Sequence, residues 1–264
     1  MKIYRLLYNG SARYALGDDS VARLTLANSP GELAGAAAGT GAEVPVADAR
    51  LLAPVVPGKI VAVGRNYADH AKELGNEVPA EPIIFLKAPS TLLDPNAEIE
   101  IPPMSERVDY EGELAIVVGR RARRVRAADW RPYVLGFTCA NDVTARDLQK
   151  RDVQFTRGKS FDTFCPLGPS IVTTLDPADL AVTTRLNGEV KQQARTAEMI
   201  FPPAQLFEFI TAIMTLEPGD MIATGTPSGV AHARKPPAWM KAGDVVEVEV
   251  EKIGILRNPV IDEE

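Results

Sequence analysis

Short apolar or alternating runs, each closed by Gly, Pro, Asn or Asp, recur along the chain and predict a mostly β protein with short helices. Residues 1–27 alternate apolar and polar positions around an Asn9-Gly10 turn signal, as a hairpin or small meander does. Residues 29–46 are rich in Ala and Gly with weak periodicity and read as a connector. A boundary near residues 54–58 then separates a small N-terminal β subdomain with its connector, residues 1–55, from a larger unit, residues 56–264. In that unit, residues 59–64, 82–87, 99–102, 114–118 and 135–140 read as strands, and the alternating residues 241–251 as a closing one. A helix is expected over residues 68–74, with Asn66 as a cap and Gly75 as terminator, and a brief one over residues 127–134.

Composition narrows the classes of function. The 264 residues are 45% hydrophobic and 24% charged, ordinary for a globular protein with a substantial core. A net charge of -6 opposes an extended nucleic-acid surface. The basic run at residues 120–126 has no interleaved aromatics and reads as a solvated turn. Two cysteines, no basic-then-apolar leader and no apolar run of bilayer length predict a reducing, cytoplasmic setting without membrane contact. Cys139 and Cys165 have no nearby basic partner in sequence and read as packed thiols.

Candidate chemistry gathers at strand ends. In Asp109-Tyr110-Glu111-Gly112-Glu113, side chains two apart on a strand share a face, which puts two carboxylates in one space. Like charges so placed call for a cation, and oxygen ligands suit Mg²⁺, Mn²⁺ or Ca²⁺ better than Zn²⁺; the alternative is an acidic, solvated strand end. Asp142, where the strand 135–140 ends, can supply a third carboxylate or cap a helix. His70 and Glu73 lie three apart on the predicted helix, where a carboxylate can orient an imidazole as a general base or both can merely face water. Gly158-Lys159-Ser160 mimics a phosphate loop, but Val153 stands where its first glycine belongs, so Lys159 is kept as a group that can stabilise negative charge. Residues 224–230 form a Gly-rich loop able to offer N–H groups to a carboxylate.

Taken together, VGRNYADHAKE, DYEGELAIVVG, NDVTARDLQ, GKSFDTFCPLGP and TGTPSGV, in this order over residues 59–260, resemble the fumarylacetoacetate hydrolase family, in its acylpyruvate hydrolase and 2-hydroxyhepta-2,4-diene-1,7-dioate isomerase branch. The resemblance implies a mixed β-sandwich roll, a homodimer, and Mg²⁺ or Mn²⁺ held by Glu111, Glu113 and Asp142. It implies a water-activating dyad, His70 and Glu73, on a mobile lid, and a substrate site lined by Arg146, Gln149, Lys159, Gly225 and Thr226. The substrate implied is a 2-oxo or 2,4-dioxo acid, cleaved hydrolytically to pyruvate and an acid. Reprotonation or loss of CO₂ from the same enolate, and a binding protein that has lost the chemistry, are the alternatives. Residues 66–75 are short and polar with few large apolar side chains, so an open or disordered lid is expected in the empty protein. Ala231 departs from the Gly that relatives often carry, and His232 has no role that the family supplies.

Overall fold

The strand Gly112–Val118 is buried at every position, which an apolar run with only Glu113 interrupting it requires. In the computed structural model, which describes residues 1–17, 23–27, 42–45 and 49–264, it lies near the middle of a twelve-stranded sheet. Across that sheet the strands run Glu43–Pro45, Arg23–Ala27, Ser11–Gly17, Lys2–Tyr8, Cys165–Val172, Val134–Asn141, Gly112–Val118, Met221–Ala223, Ile60–Gly64 and Ile83–Lys87, with two short strands paired off this path. A second sheet, Glu189–Arg195, Ala181–Leu186, Val245–Val250, Gly254–Asp262 and Ile99–Ile101, covers one face.

Strand alternation explains both faces of Gly112–Val118. Leu114, Ile116 and Val118 point to one core with Phe137, Val182, Val248 and the helix residues Leu206, Phe207 and Ile210. Ala115 and Val117 point the other way, to Ile60, Ala62, Leu167 and Met221. The fold is thus mostly β, as the sequence pattern predicts, with the packed mixed sheets that the resemblance implies. The N-terminal strands are joined to the rest, since Lys2 and Ile3 pair with Val172 and Ile171.

The hairpin turns at Asn9 and Gly10, both left-handed with φ of 49° and 74°, as a two-residue turn between twisted strands demands. The connector lies largely outside the described residues, as do residues 18–22. The arginine run at residues 120–126 is a solvated turn held by an Ala122–Leu216 bridge, and the brief helix is two 3₁₀ turns, Ala127–Asp129 and Arg131–Tyr133. Both cysteines are buried and free, and burial pushes each thiol up to about 12. Among the described residues no helix is long and apolar enough to cross a membrane.

At Gly112 the two sheets approach too closely for a side chain. A Cβ there would overlap the Thr184 hydroxyl and sit 3.2 Å from Val248 Cγ1. Gly112→Ala should therefore destabilise the fold by about 1–3 kcal/mol, the usual range for overpacking a filled core. Denaturant unfolding checks this, and a midpoint equal to wild type would show that the sheets can separate freely.

Candidate active site

Strand register builds the acidic centre. Gly112 pairs with Asn141 and Glu113 with Ala140, so one step outward sets Glu111 beside Asp142, whose N–H donates to the Glu111 carbonyl at 2.8 Å. The strand breaks at this point, and side chains complete its backbone bonding. Asn141 Oδ1 accepts the Glu111 N–H at 2.9 Å, and Gln192 Oε1 accepts the Gly112 N–H at 3.0 Å. Glu111, Glu113 and Asp142 are all buried and offer ligand oxygens within 4.8 Å of one another.

Three cations crowd the same space. Lys159 Nζ donates to Glu111 at 2.7 Å, Asp142 at 2.5 Å and the Thr144 hydroxyl at 2.8 Å. Lys87 Nζ donates to the other Asp142 oxygen at 2.6 Å. Arg146 donates to Glu111 and to the buried Asp109, and reaches Gln149 Oε1 at 3.0 Å. Burial alone would raise the Glu111 carboxyl, but the charges of Arg146 and Lys159 outweigh it and hold it well below the usual range. Burial lowers the affinity of Lys159 and Arg146 for their protons, and their carboxylate partners reverse that.

Glu113 differs. It is 1% exposed, forms no ion pair among the described residues and accepts one N–H, from Gly225 at 2.8 Å. Burial, then Asp142 and Glu111, push its carboxyl well above the ordinary value. A buried carboxylate without a cation, facing two others, is the donor set that a hard divalent ion completes.

The loop after Met221–Ala223 runs beside the same strand. Thr224 Oγ1 donates to the Leu114 carbonyl at 2.8 Å and Thr226 Oγ1 to the Gly112 carbonyl at 3.0 Å. Gly225 is left-handed at φ 100°, and a Cβ on it would press into Asn66. Further along, the Ala231 and His232 N–H groups both donate to Asp109, at 2.7 and 3.1 Å.

The dyad is assembled. His70 Nδ1 lies 2.8 Å from Glu73 Oε1 on the helix Ala68–Glu73, and Glu73 Oε2 accepts the Gly229 N–H at 2.8 Å. A carboxylate only accepts, so Nδ1 carries the proton and Nε2 is the free basic nitrogen. His70 is buried, and the segment of residues 66–75 lies closed over the site in this structure. Its anchors are long-range. Tyr67, buried and bridged to Met199, stands at the N-terminal boundary of the helix without a side-chain capping bond, in place of Asn66, whose side chain instead binds Phe201 in both directions and the Thr224 carbonyl. Gly75, at φ 71°, terminates the helix as expected.

His70, Glu111, Glu113, Asp142, Arg146, Gln149, Lys159 and Thr226 line one cavity of about 460 Å³, of the size that encloses a small ligand. Glu73 and Gly225 stand just behind it through His70 and Glu113. Sequence reasoning missed Lys87, Asp109, Asn66 and Gln192. His232 also lines the cavity, stacked on Trp239 with ring centroids 5.7 Å apart.

Residues 59–261 match the profile described as fumarylacetoacetate (FAA) hydrolase C-terminal, well over half of the chain. The chain belongs to the fumarylacetoacetate hydrolase family. Residues 1–54 match a second profile, Rv2993c-like, N-terminal. The human mitochondrial oxaloacetate tautomerase FAHD2A is 46% identical over 224 residues, 83% of this chain and 71% of its own. An uncharacterised protein of Archaeoglobus fulgidus is 52% identical over 84% of this chain and 86% of its own. Among solved structures, 5-carboxymethyl-2-hydroxymuconate delta-isomerase from Mycobacterium smegmatis superposes with a TM-score of 0.89 at 42% identity, each chain covered fully. Family members are enzymes, and the buried acidic triad fits a divalent metal.

Proposed function

We propose that this chain is a divalent-metal-dependent enzyme that passes through the enolate of a 2-oxo acid. With a 2,4-dioxo acid of the acylpyruvate or fumarylpyruvate type it hydrolyses a C–C bond to give pyruvate and a carboxylic acid. The observation that carries this is one cavity lined by both the three-carboxylate cluster and the imidazole of an assembled His70–Glu73 dyad. When bound to Glu111, Glu113 and Asp142, Mg²⁺ or Mn²⁺, with Ca²⁺ also suited, supplies positive charge for the substrate's 1-carboxylate and 2-oxo oxygen.

The protein does the rest. Nε2 of His70 takes a proton from water, and Glu73 stabilises the imidazolium that forms. The hydroxide attacks the distal carbonyl, the C–C bond breaks, and its electron pair becomes the pyruvate enolate. Lys159, with Arg146 behind it, adds positive charge to that enolate, and the burial of both side chains strengthens the effect. Gln149 and the Gly225-Thr226 loop orient the substrate, and a proton returned to C3 gives pyruvate.

A second reading is favoured by the names of relatives, an oxaloacetate tautomerase and a delta-isomerase. Without a productive water, His70 moves a proton between carbon and oxygen, or between carbons, of the same enolate. Turnover of acylpyruvates, oxaloacetate and a 2-hydroxydienedioate with Mg²⁺ or Mn²⁺, ranked by kcat/KM, decides between the two. No turnover of any of them would contradict both and favour a binding protein.

The catalytic unit in this proposal is residues 56–264, with residues 1–55 appended, acting in the cytoplasm as a symmetric homodimer. The large sheet ends on Ile83–Lys87, an edge strand whose Leu86 is 48% exposed, and edges of this kind favour pairing between copies. Sedimentation should show a dimer at micromolar concentration, and a lone 28.5 kDa species would overturn it.

A further inference from the structure

Each carboxylate of the acid cluster has one oxygen tied by a donor of the surrounding frame. Lys87 Nζ donates to Asp142 Oδ1 at 2.6 Å, Arg146 donates to Glu111 Oε1, and the Gly225 N–H donates to Glu113 Oε2 at 2.8 Å. One oxygen of each then remains. Asp142 Oδ2 and Glu111 Oε2 meet at Lys159 Nζ, at 2.5 and 2.7 Å, so these two face a common point. Glu113 Oε1 makes no hydrogen bond among the described residues.

Of the three ties, the one from Lys87 has no use yet. Arg146 lines the cavity and Gly225 offers only its backbone, whereas Lys87 is a fully buried side chain that does not line the cavity. It ends the strand Ile83–Lys87, and its other hydrogen bond among the described residues is to the Val143 carbonyl at 3.3 Å. Neutralising Asp142 does not require it, because Lys159 already bonds that carboxylate at Oδ2. A buried ammonium costs desolvation and weakens the pull of its carboxylate on any further cation. What Lys87 adds is a claim on the second oxygen.

The number of oxygens that a carboxylate can lend decides which ion it suits. Ca²⁺ takes about six to eight oxygens and readily chelates a carboxylate through both, whereas Mg²⁺ demands a near-octahedral set of single oxygens. We propose that Lys87 is a metal-selecting residue: by holding Asp142 Oδ1 it limits that carboxylate to one oxygen, and the site then prefers Mg²⁺ or Mn²⁺ to Ca²⁺. The inference rests on the metal-dependent reading above and narrows its ion. Lys87 touches neither substrate nor ion and acts through Asp142.

The test is calorimetry of Mg²⁺ and Ca²⁺ binding to the metal-stripped protein, read as the ratio of the two affinities. Removing a charge at Lys87 moves both divalent ions together, so the ratio isolates the second oxygen. Wild type should bind Mg²⁺ the more tightly. Lys87→Met should lower the Mg²⁺/Ca²⁺ ratio by about tenfold, the scale on which residues behind a ligand act on metal binding, with circular dichroism reporting an intact fold. An unchanged ratio in Lys87→Met, or tighter Ca²⁺ binding by wild type, would remove the selecting role and leave the metal site in place. Should Lys87→Met fail to fold, X-ray absorption by the Mn²⁺-loaded wild type still decides. Single-oxygen ligation by every carboxylate supports the inference, and a carboxylate bound through both oxygens overturns it. Failure of Mg²⁺, Mn²⁺ and Ca²⁺ alike to bind wild type would overturn the metal-dependent reading itself.

Discussion

Glu113→Gln is expected to abolish tight divalent-ion binding and, at the same time, to stabilise the metal-free chain. Glu113 is buried beside Glu111 and Asp142 with no cation of its own, so its charge is the least compensated in the cluster. Glutamine keeps the acceptor for Gly225 and removes both the repulsion and the cost of holding the proton that relieves it. A gain of about 2–4 °C in Tm, equivalent to roughly 1 kcal/mol in a chain of this size, is expected without metal. In wild type, Mg²⁺ or Mn²⁺ should raise stability by mass action, about 2.7 kcal/mol at a hundredfold excess over Kd, and the variant should lose that rise.

The pH dependence follows from the same group. Its carboxyl is raised in the fold, so the folded, metal-free chain binds more protons than the unfolded one. This part of stability is present at low pH and is lost as pH climbs from the unfolded carboxyl's value through the raised one. Metal binding expels that proton, so affinity should increase with pH across the same window, with proton release measurable by calorimetry in buffers of different ionisation enthalpy. Wild-type metal affinity in Glu113→Gln would place the ion elsewhere.

His70→Ala should cost hydrolysis on the order of 10²-fold or more, the usual contribution of a positioned general base. Metal and oxalate binding should persist, because His70 makes no bond to Glu111, Glu113 or Asp142. Glu73→Gln keeps an oxygen for the Gly229 N–H but removes the charge that stabilises the imidazolium, so a smaller loss in kcat with little change in KM is expected. Steady-state rates on an acylpyruvate check both, and a His70→Ala enzyme hydrolysing at the wild-type rate would remove the dyad from the mechanism.

What could be read from the chain divides by the range of the interactions involved. The strand alternation that sets Glu111 and Glu113 on one face is local, and the order of five motifs brought Asp142, His70 and Lys159 to the same site. The hairpin at Asn9-Gly10 and the stop at Gly75 are equally local, since each needs a left-handed residue at one place. Lys87 was not legible, because it reads as the polar end of a strand and meets Asp142 only across 55 residues of chain. Asp109 was likewise hidden, as its partners Arg146, Ala231 and His232 come from two distant segments. The closed placement of residues 66–75 was not legible for the same reason. Counting apolar residues missed that Asn66 clamps Phe201 and Thr224 and that Glu73 holds Gly229, contacts of 135 to 158 residues' separation.

Both hydrolysis and tautomerisation require the acid cluster and the dyad together to form and quench an enolate of a 2-oxo acid. Hydrogen–deuterium exchange at the methyl group of pyruvate, followed by NMR in D₂O, measures it directly, because protonation of the product enolate must run in reverse. The Mg²⁺-loaded wild type should exchange these hydrogens far faster than buffer with Mg²⁺ alone, His70→Ala should be slower, and chelation or Glu113→Gln should return the rate to that of the buffer. Exchange at the buffer rate by the Mg²⁺-loaded wild type, with pyruvate shown to be bound, would contradict the account.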